Sequence, residues 1–192
     1  MLDKNIIYYF LKGDCFVIYY FVIYYIVKHI KHMLHINIIC VGKIKEKYLR
    51  EAIDEYFKRL SKYCQLKIVE LPDEKIPNNP SEKEVLAIKE KEGQNIINNI
   101  KKDSYNICLD LKGKQFTSEE FSKKLENISL NQYSTINFII GGSLGISNSV
   151  LSISNELISF SKMTFPHQLF RVFLLEQIYR AFKISNNETY HK

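Results

Sequence analysis

From Met33 onward the apolar positions alternate between short strand-like runs and longer helical stripes. Ile36-Asn37-Ile38-Ile39-Cys40-Val41 predicts a strand, stopped by Gly42. Leu49, Ile53, Tyr56, Phe57 and Leu60 then recur at helical spacing, which predicts a helix over 49–60. Gln65 to Leu71 alternates as a second strand that Pro72 ends, and the stretch through Pro77 and Pro80 reads as loop. Ser81-Glu82-Lys83-Glu84 is a capping box, opening a helix from Glu82 to about Ile100. Its apolar stripe (Val85, Ile88, Ile96, Ile97) is thin, so one side of this charged helix is expected to be exposed.

Tyr105 to Leu111 is a nearly continuous apolar run, as in a central strand buried on both faces, with Gly113 as its turn. Thr117-Ser118-Glu119-Glu120 is a second capping box and opens a helix to about Ile128. Ser134 to Ile140 is the next buried strand, ending at Gly141-Gly142. A short helix over 148–154, a strand over 157–160 and a long helix over 167–184 complete the chain. Strands alternating with helices predict an α/β fold built on a mainly parallel sheet. The last helix is apolar almost all round (Leu169, Phe170, Phe173, Leu174, Ile178, Phe182), which predicts burial on every side, in a core or against a second subunit.

Residues 1–32 break the pattern. Cys15 to Val27 is a charge-free apolar run. As a helix it would span about 20 Å, short of the roughly 30 Å hydrocarbon core. Lys12 and Asp14 precede it, and no small-residue cleavage site follows. Three readings stay open: a non-coding leader translated from a misassigned start, a membrane-associated segment, and a genuine extension. The first is favoured, because Ile, Tyr, Phe, Lys and Asn dominate the segment and Met33 stands just ahead of the first strand. The chain therefore divides into an extension, 1–32, and one functional domain, 33–192.

Composition changes this picture little. Apolar residues at 46% and charged residues at 25% are those of an ordinary globular protein, so neither a disordered chain nor a multi-span membrane protein is indicated. The net charge of +6 favours a polyanionic partner. The four cysteines lie far apart with no CxxC pair, so neither a disulfide framework nor a metal site is expected, and the cytoplasm is the expected compartment.

Candidate chemistry gathers in the last third. Gly141-Gly142-Ser143-Leu144-Gly145 follows a buried strand directly, where bare backbone can approach a ligand, although a tight turn alone would explain it. It is neither a dinucleotide fingerprint nor a P-loop. The polar loop Ser161-Lys162-Met163-Thr164-Phe165-Pro166-His167 leaves the neighbouring strand. Two such loops side by side can seat a nucleotide-like ligand. Lys43, Lys45, Lys47 and Arg50 form a basic cluster after the first strand, either solvated or in contact with phosphates.

The combination of VGKIKEKY (41–48), LPDEK (71–75), KEGQ (91–94), FIIGGSLG (138–145), SFSKMTFPHQLFRVFLLEQIYRAFKI (159–184) and the terminal Tyr190-His191-Lys192 closely resembles the RlmH family of SPOUT methyltransferases, over Ile36 to Lys192. The resemblance implies a SPOUT domain with a C-terminal trefoil knot, acting as a homodimer without a metal. It implies methyl transfer from S-adenosyl-L-methionine to N3 of a pseudouridine in 23S ribosomal RNA, on the assembled 70S ribosome rather than naked RNA. Matched residue by residue, the cofactor would lie against Leu109, Gly141, Phe160, Ser161, Lys162, Met163, Thr164 and Phe165. His191 and Tyr190 would serve catalysis, and Lys192, Lys43 and Lys45 would meet RNA. Family members often end in Arg where Lys192 stands, which keeps charge but loses the guanidinium fork. Left open beside this are a SPOUT enzyme with another RNA target and a non-catalytic ribosome-binding protein.

Overall fold

The computed structural model describes residues 33–131 and 133–190. The extension 1–32, with its three readings, lies outside the described residues, as do His191 and Lys192. Strands β1 (Leu34–Val41), β2 (Cys64–Leu71), β3 (Tyr105–Lys114), β4 (Thr135–Ile140) and β5 (Glu156–Ile158) alternate with helices α1 (Lys47–Leu60), α2 (Glu82–Ile97), α3 (Ser118–Leu130), α4 (Asn148–Ser152) and α5 (His167–Ser185). All strand pairs are parallel, in the order β2-β1-β4-β3-β5. The expected α/β architecture is the observed one.

Why the sheet is sandwiched follows from its strands. Alternate residues face opposite sides, and in β1, β4 and the first half of β3 most residues on both faces are apolar, so both faces demand cover. Ile36, Ile38, Ile107, Ile136 and Phe138 pack under α1, α3 and α5. Ile39, Val41, Cys108 and Ile139 pack under α2 and α4 through Ile96 and Val150. Both capping boxes form as the sequence predicts: Ser81 with Glu84, and Thr117 with Glu120.

A polar ladder crosses the buried sheet. Asn37 donates to Asn137 at 2.8 Å, and Asn137 in turn donates to Asn106 and Ser104 at 2.8 and 2.7 Å. Each buried amide is thereby paired across β1, β4 and β3, and slipping a strand by one residue would orphan it, so the ladder fixes register.

Three expectations need correction. Gly113 does not end its strand: β3 continues to Lys114, arching outward so that Ile158 of β5 pairs with both Leu109 and Lys114. β5 stops at Ile158, which leaves Ser159 and Phe160 in the following loop. α5 is not buried on every side, since Phe173 is 39% exposed and Leu169, Phe170 and Val172 are half-buried. Among the described residues no helix is long and apolar enough to cross a membrane.

Candidate functional site

The β3–β4 ladder ends at Cys108 and Ile139. Just beyond, a cavity of about 400 Å³ opens between the outer part of β3 and the loops that follow β4 and β5. Its size is within the roughly 300–1,000 Å³ of small-molecule sites. It also lies outside the carboxyl ends of parallel strands, where such folds bind ligands.

Each wall has a local cause. After β4 the chain doubles back, with Gly145 N–H donating to Gly142 C=O at 2.9 Å to close a turn. A Cβ on Gly141 would lie 2.8 Å from Ile146 Cγ1 and 2.9 Å from the carbonyl carbon of Gly145, so the fold has no room for a side chain there. Gly145 has φ +88°, which favours glycine for conformational reasons instead. After β5, Ser159 N–H donates to Lys114 C=O at 2.9 Å, and its hydroxyl donates to Ser161 C=O at 2.8 Å. Met163 N–H then donates to Ser161 Oγ at 2.9 Å, which bends the loop over the opening. Phe160 and Phe165 anchor that loop on α5, both against Phe170, with centroids 5.2 and 6.1 Å away.

Of the eight residues singled out from the sequence for the cofactor, Leu109, Gly141, Phe160, Ser161, Met163, Thr164 and Phe165 line this one cavity. Lys162 does not line it and is exposed. Further lining residues that the sequence reading did not assign to the cofactor include Asp110, Ile146 and Phe170. Phe170 was legible only as another apolar position of the last helix.

His167 also borders the cavity, at the first turn of α5. Desolvation and the nearby Arg171 guanidinium hold its proton affinity below the ordinary imidazole range. It is therefore neutral at pH 7 and able to accept a hydrogen bond. In an NMR titration its midpoint is expected below the unperturbed value of about 6.5. A midpoint at or above that value would mean the imidazole is solvated.

Lys43 and Lys45 are exposed on the loop after β1, and that loop is held beside the cavity rather than free. Ile44 N–H donates to Glu70 Oε1 at 2.9 Å and Lys45 N–H to Gln168 Oε1 at 2.7 Å. Gln168 is the neighbour of the cavity-lining His167, so the Lys45 backbone is tied to the start of α5, although neither lysine lines the cavity. Tyr190 is placed elsewhere. Its hydroxyl donates to Glu176 at 3.2 Å and its ring packs on Tyr179 at 4.9 Å, on the far half of α5, and it does not line the cavity of its own chain. His191 and Lys192 lie outside the described residues. Among the described residues no group of His, Cys, Asp and Glu could hold a metal ion. Cys40, Cys64 and Cys108 are buried, and burial pushes their thiols up to about 11, 12 and 11, so none is a nucleophile at neutral pH.

A family model described as "Predicted SPOUT methyltransferase" matches residues 34–191. A protein from Clostridium botulinum named "Ribosomal RNA large subunit methyltransferase H" is 64% identical over 159 residues, which are 83% of this chain and 100% of that protein. A protein of the same name from Clostridium perfringens is 60% identical over the same shares.

Proposed function

The chain belongs to the ribosomal RNA large subunit methyltransferase H family of SPOUT methyltransferases. From that premise we propose that it transfers a methyl group from S-adenosyl-L-methionine to N3 of a pseudouridine in 23S ribosomal RNA. In this proposal its substrate is the assembled 70S ribosome in the cytoplasm. The observation that carries the reading is the convergence of Leu109, Gly141 and the 160–165 loop on one cavity at the strand ends. The chemistry of that cavity suits the cofactor. An adenine ring takes an apolar slot with backbone at its edge, and Leu109, Ile140 and the side-chain-free Gly141 provide one.

When bound, the cofactor supplies an already activated methyl group, so the protein's task is to bind, orient and ease loss of a proton. The Ser159–Phe165 loop, pinned by its own hydroxyls and by Phe170, holds the shape of the slot before any ligand arrives. Lys43 and Lys45 stand ready for phosphates on the loop tied to the start of α5, where each contact would add salt-dependent affinity. The terminal Tyr190-His191-Lys192 orients or deprotonates the target base. Because Tyr190 is held on the far half of α5, that tail would serve a partner's cavity within a homodimer. Support for a second copy comes from α5: Phe173 stands exposed beside a hollow of about 290 Å³ lined by Phe116, Phe160, Phe165 and Phe170, an apolar surface that a subunit would cover. The trefoil knot belongs to the same proposal. It rests on the family to which the chain belongs.

Residues 33–192 and the full chain should be assayed for methyl transfer from labelled S-adenosyl-L-methionine. The acceptors should be ribosomes lacking the modification, separated subunits and free 23S RNA. Label in 23S RNA from whole ribosomes alone supports the reading, and label in free RNA alone moves the substrate. Neither label nor cofactor binding would remove it. Full activity in His191→Ala would remove the tail's part.

A further inference from the structure

The sequence motif KEGQ (91–94) lies on α2, on the opposite face of the sheet from α5, and nothing above assigns it a task. The structure brings it under the glycine turn of the cavity. Glu92 is only 5% exposed. Its Oε1 accepts from Glu74 N–H at 3.0 Å, which ties it to the 71–75 motif. Its Oε2 is buried without a hydrogen-bond partner and lies 2.6 Å from where a Cβ on Gly142 would stand. Next to it, Gly93 leaves room for the following segment: a Cβ there would sit 2.1 Å from Ser147 Oγ. Lys91 adds an ion pair to Glu74 at 2.9 Å.

These contacts are costly. A buried carboxyl with one unmade hydrogen bond is unfavourable. Burial, with Glu74 and Asp73 adding their charge, raises its proton affinity above the usual carboxylate range, although the Glu74 N–H pulls the other way. An apolar residue would fill the space at lower cost if filling were the only need. We infer that Glu92 is a positioning residue for the cofactor site, holding the Gly141–Gly145 turn at its ligand-binding height by occupying the side-chain space of Gly142 while bonded to the 71–75 loop. This rests on the reading of the cavity as the S-adenosyl-L-methionine site. Gly142 is then required for what lies behind it, because its φ is not in the left-handed region.

The test is binding of S-adenosylhomocysteine to the full chain, with amide hydrogen exchange over 141–147 measured without ligand. Glu92→Ala empties the space and should weaken binding about tenfold, because a small misplacement of a bound group is amplified in function. In turnover the loss should fall on KM for the cofactor while kcat stays within about twofold. Exchange over 141–147 should rise. Glu92→Gln keeps both the shape and an acceptor for Glu74 N–H, and should bind as wild type. Gly142→Ala pushes a methyl group into the carboxyl and should weaken binding. The same methyl in a Glu92→Ala background enters vacated space, so the double variant should be no worse than Glu92→Ala, a non-additive cycle.

Wild-type affinity and exchange in Glu92→Ala would overturn the inference. So would Glu92→Gln binding as poorly as Glu92→Ala, since charge rather than fit would then matter. A wild type that does not bind S-adenosylhomocysteine would remove the functional reading instead. Exchange over 141–147 would still decide whether Glu92 holds the turn.

Discussion

Arg171→Met should lower stability to unfolding by about 3 kcal/mol and release the loop that carries Lys43 and Lys45. Arg171 is 1% exposed, the largest fully buried side chain among the described residues. Its Nη1 donates to Glu70 Oε1 at 2.7 Å, and its Nη2 donates to the carbonyls of Val41 and Gly42 at 3.1 and 2.8 Å. One guanidinium thus ends β1, neutralises Glu70 at the end of β2 and ties both to the second turn of α5. Methionine fills much of the same volume but takes the guanidinium donors from two carbonyls and leaves the Glu70 carboxylate with only the Ile44 N–H. Glu70 is a third exposed and can recover some water, which keeps the cost at the lower end for a broken buried pair. Lysine should fall between the two, because it keeps charge but cannot reach three acceptors with one planar fork. Denaturant unfolding measures the loss, and amide exchange over 42–46 should rise in parallel. A midpoint unchanged in Arg171→Met would mean that the pair is dispensable and that the loop is held by Gln168 and Glu70 alone.

Arg171 also shows where sequence reasoning succeeds and where it stops. Period and capping chemistry located the longer elements, because α1, α2, α3 and α5 each have a stripe or a capping box and the strands an apolar or alternating run. The turn at Gly141 could be placed as well, since glycine directly after a buried strand has few other uses. Partners distant in sequence could not be placed. Within the last helix, Arg171 stands among residues apolar almost all round, and a charge in such a position must be paired; the pattern announces a partner without naming Glu70, 101 residues earlier. Glu92 was hidden in the opposite way, as one charge among many on a helix whose stripe looked thin. Asn106 and Asn137 were passed over inside strands that read as continuously apolar, and only the strand order shows that they face each other. The 160–165 loop has no period to read, so its place at the cavity came from its position after a strand, beside the glycine turn, and its residue roles from motif resemblance.

Gly113→Ala should disrupt the site more than any other single methyl group added to this chain. The sequence suggests a turn glycine, for which alanine would cost strain only if φ were positive. Gly113 is not among the glycines with positive φ. What excludes a side chain there is backbone: a Cβ would lie 2.4, 2.6 and 2.7 Å from the C, N and Cα atoms of Ile158. A flexible side-chain end could swing aside, whereas here two main chains must separate. Glycine within a strand often marks such an approach. Separation would break the Ser159 N–H to Lys114 C=O bond from which the Ser159–Phe165 loop departs, so stability and ligand affinity should fall together. Overpacking of this kind costs about 1–3 kcal/mol, and affinity for S-adenosylhomocysteine should drop by at least about tenfold. Gly145→Ala is the informative comparison. Its site is open, with nothing within 4 Å of an added Cβ, but its φ is +88°. It should lose about 1 kcal/mol through backbone strain alone. Thermal unfolding and calorimetric titration of the two variants separate the causes. If Gly113→Ala melts and binds as wild type, the β3 arch is not pressed against β5, and the loop over the cavity must take its shape from Phe170 alone.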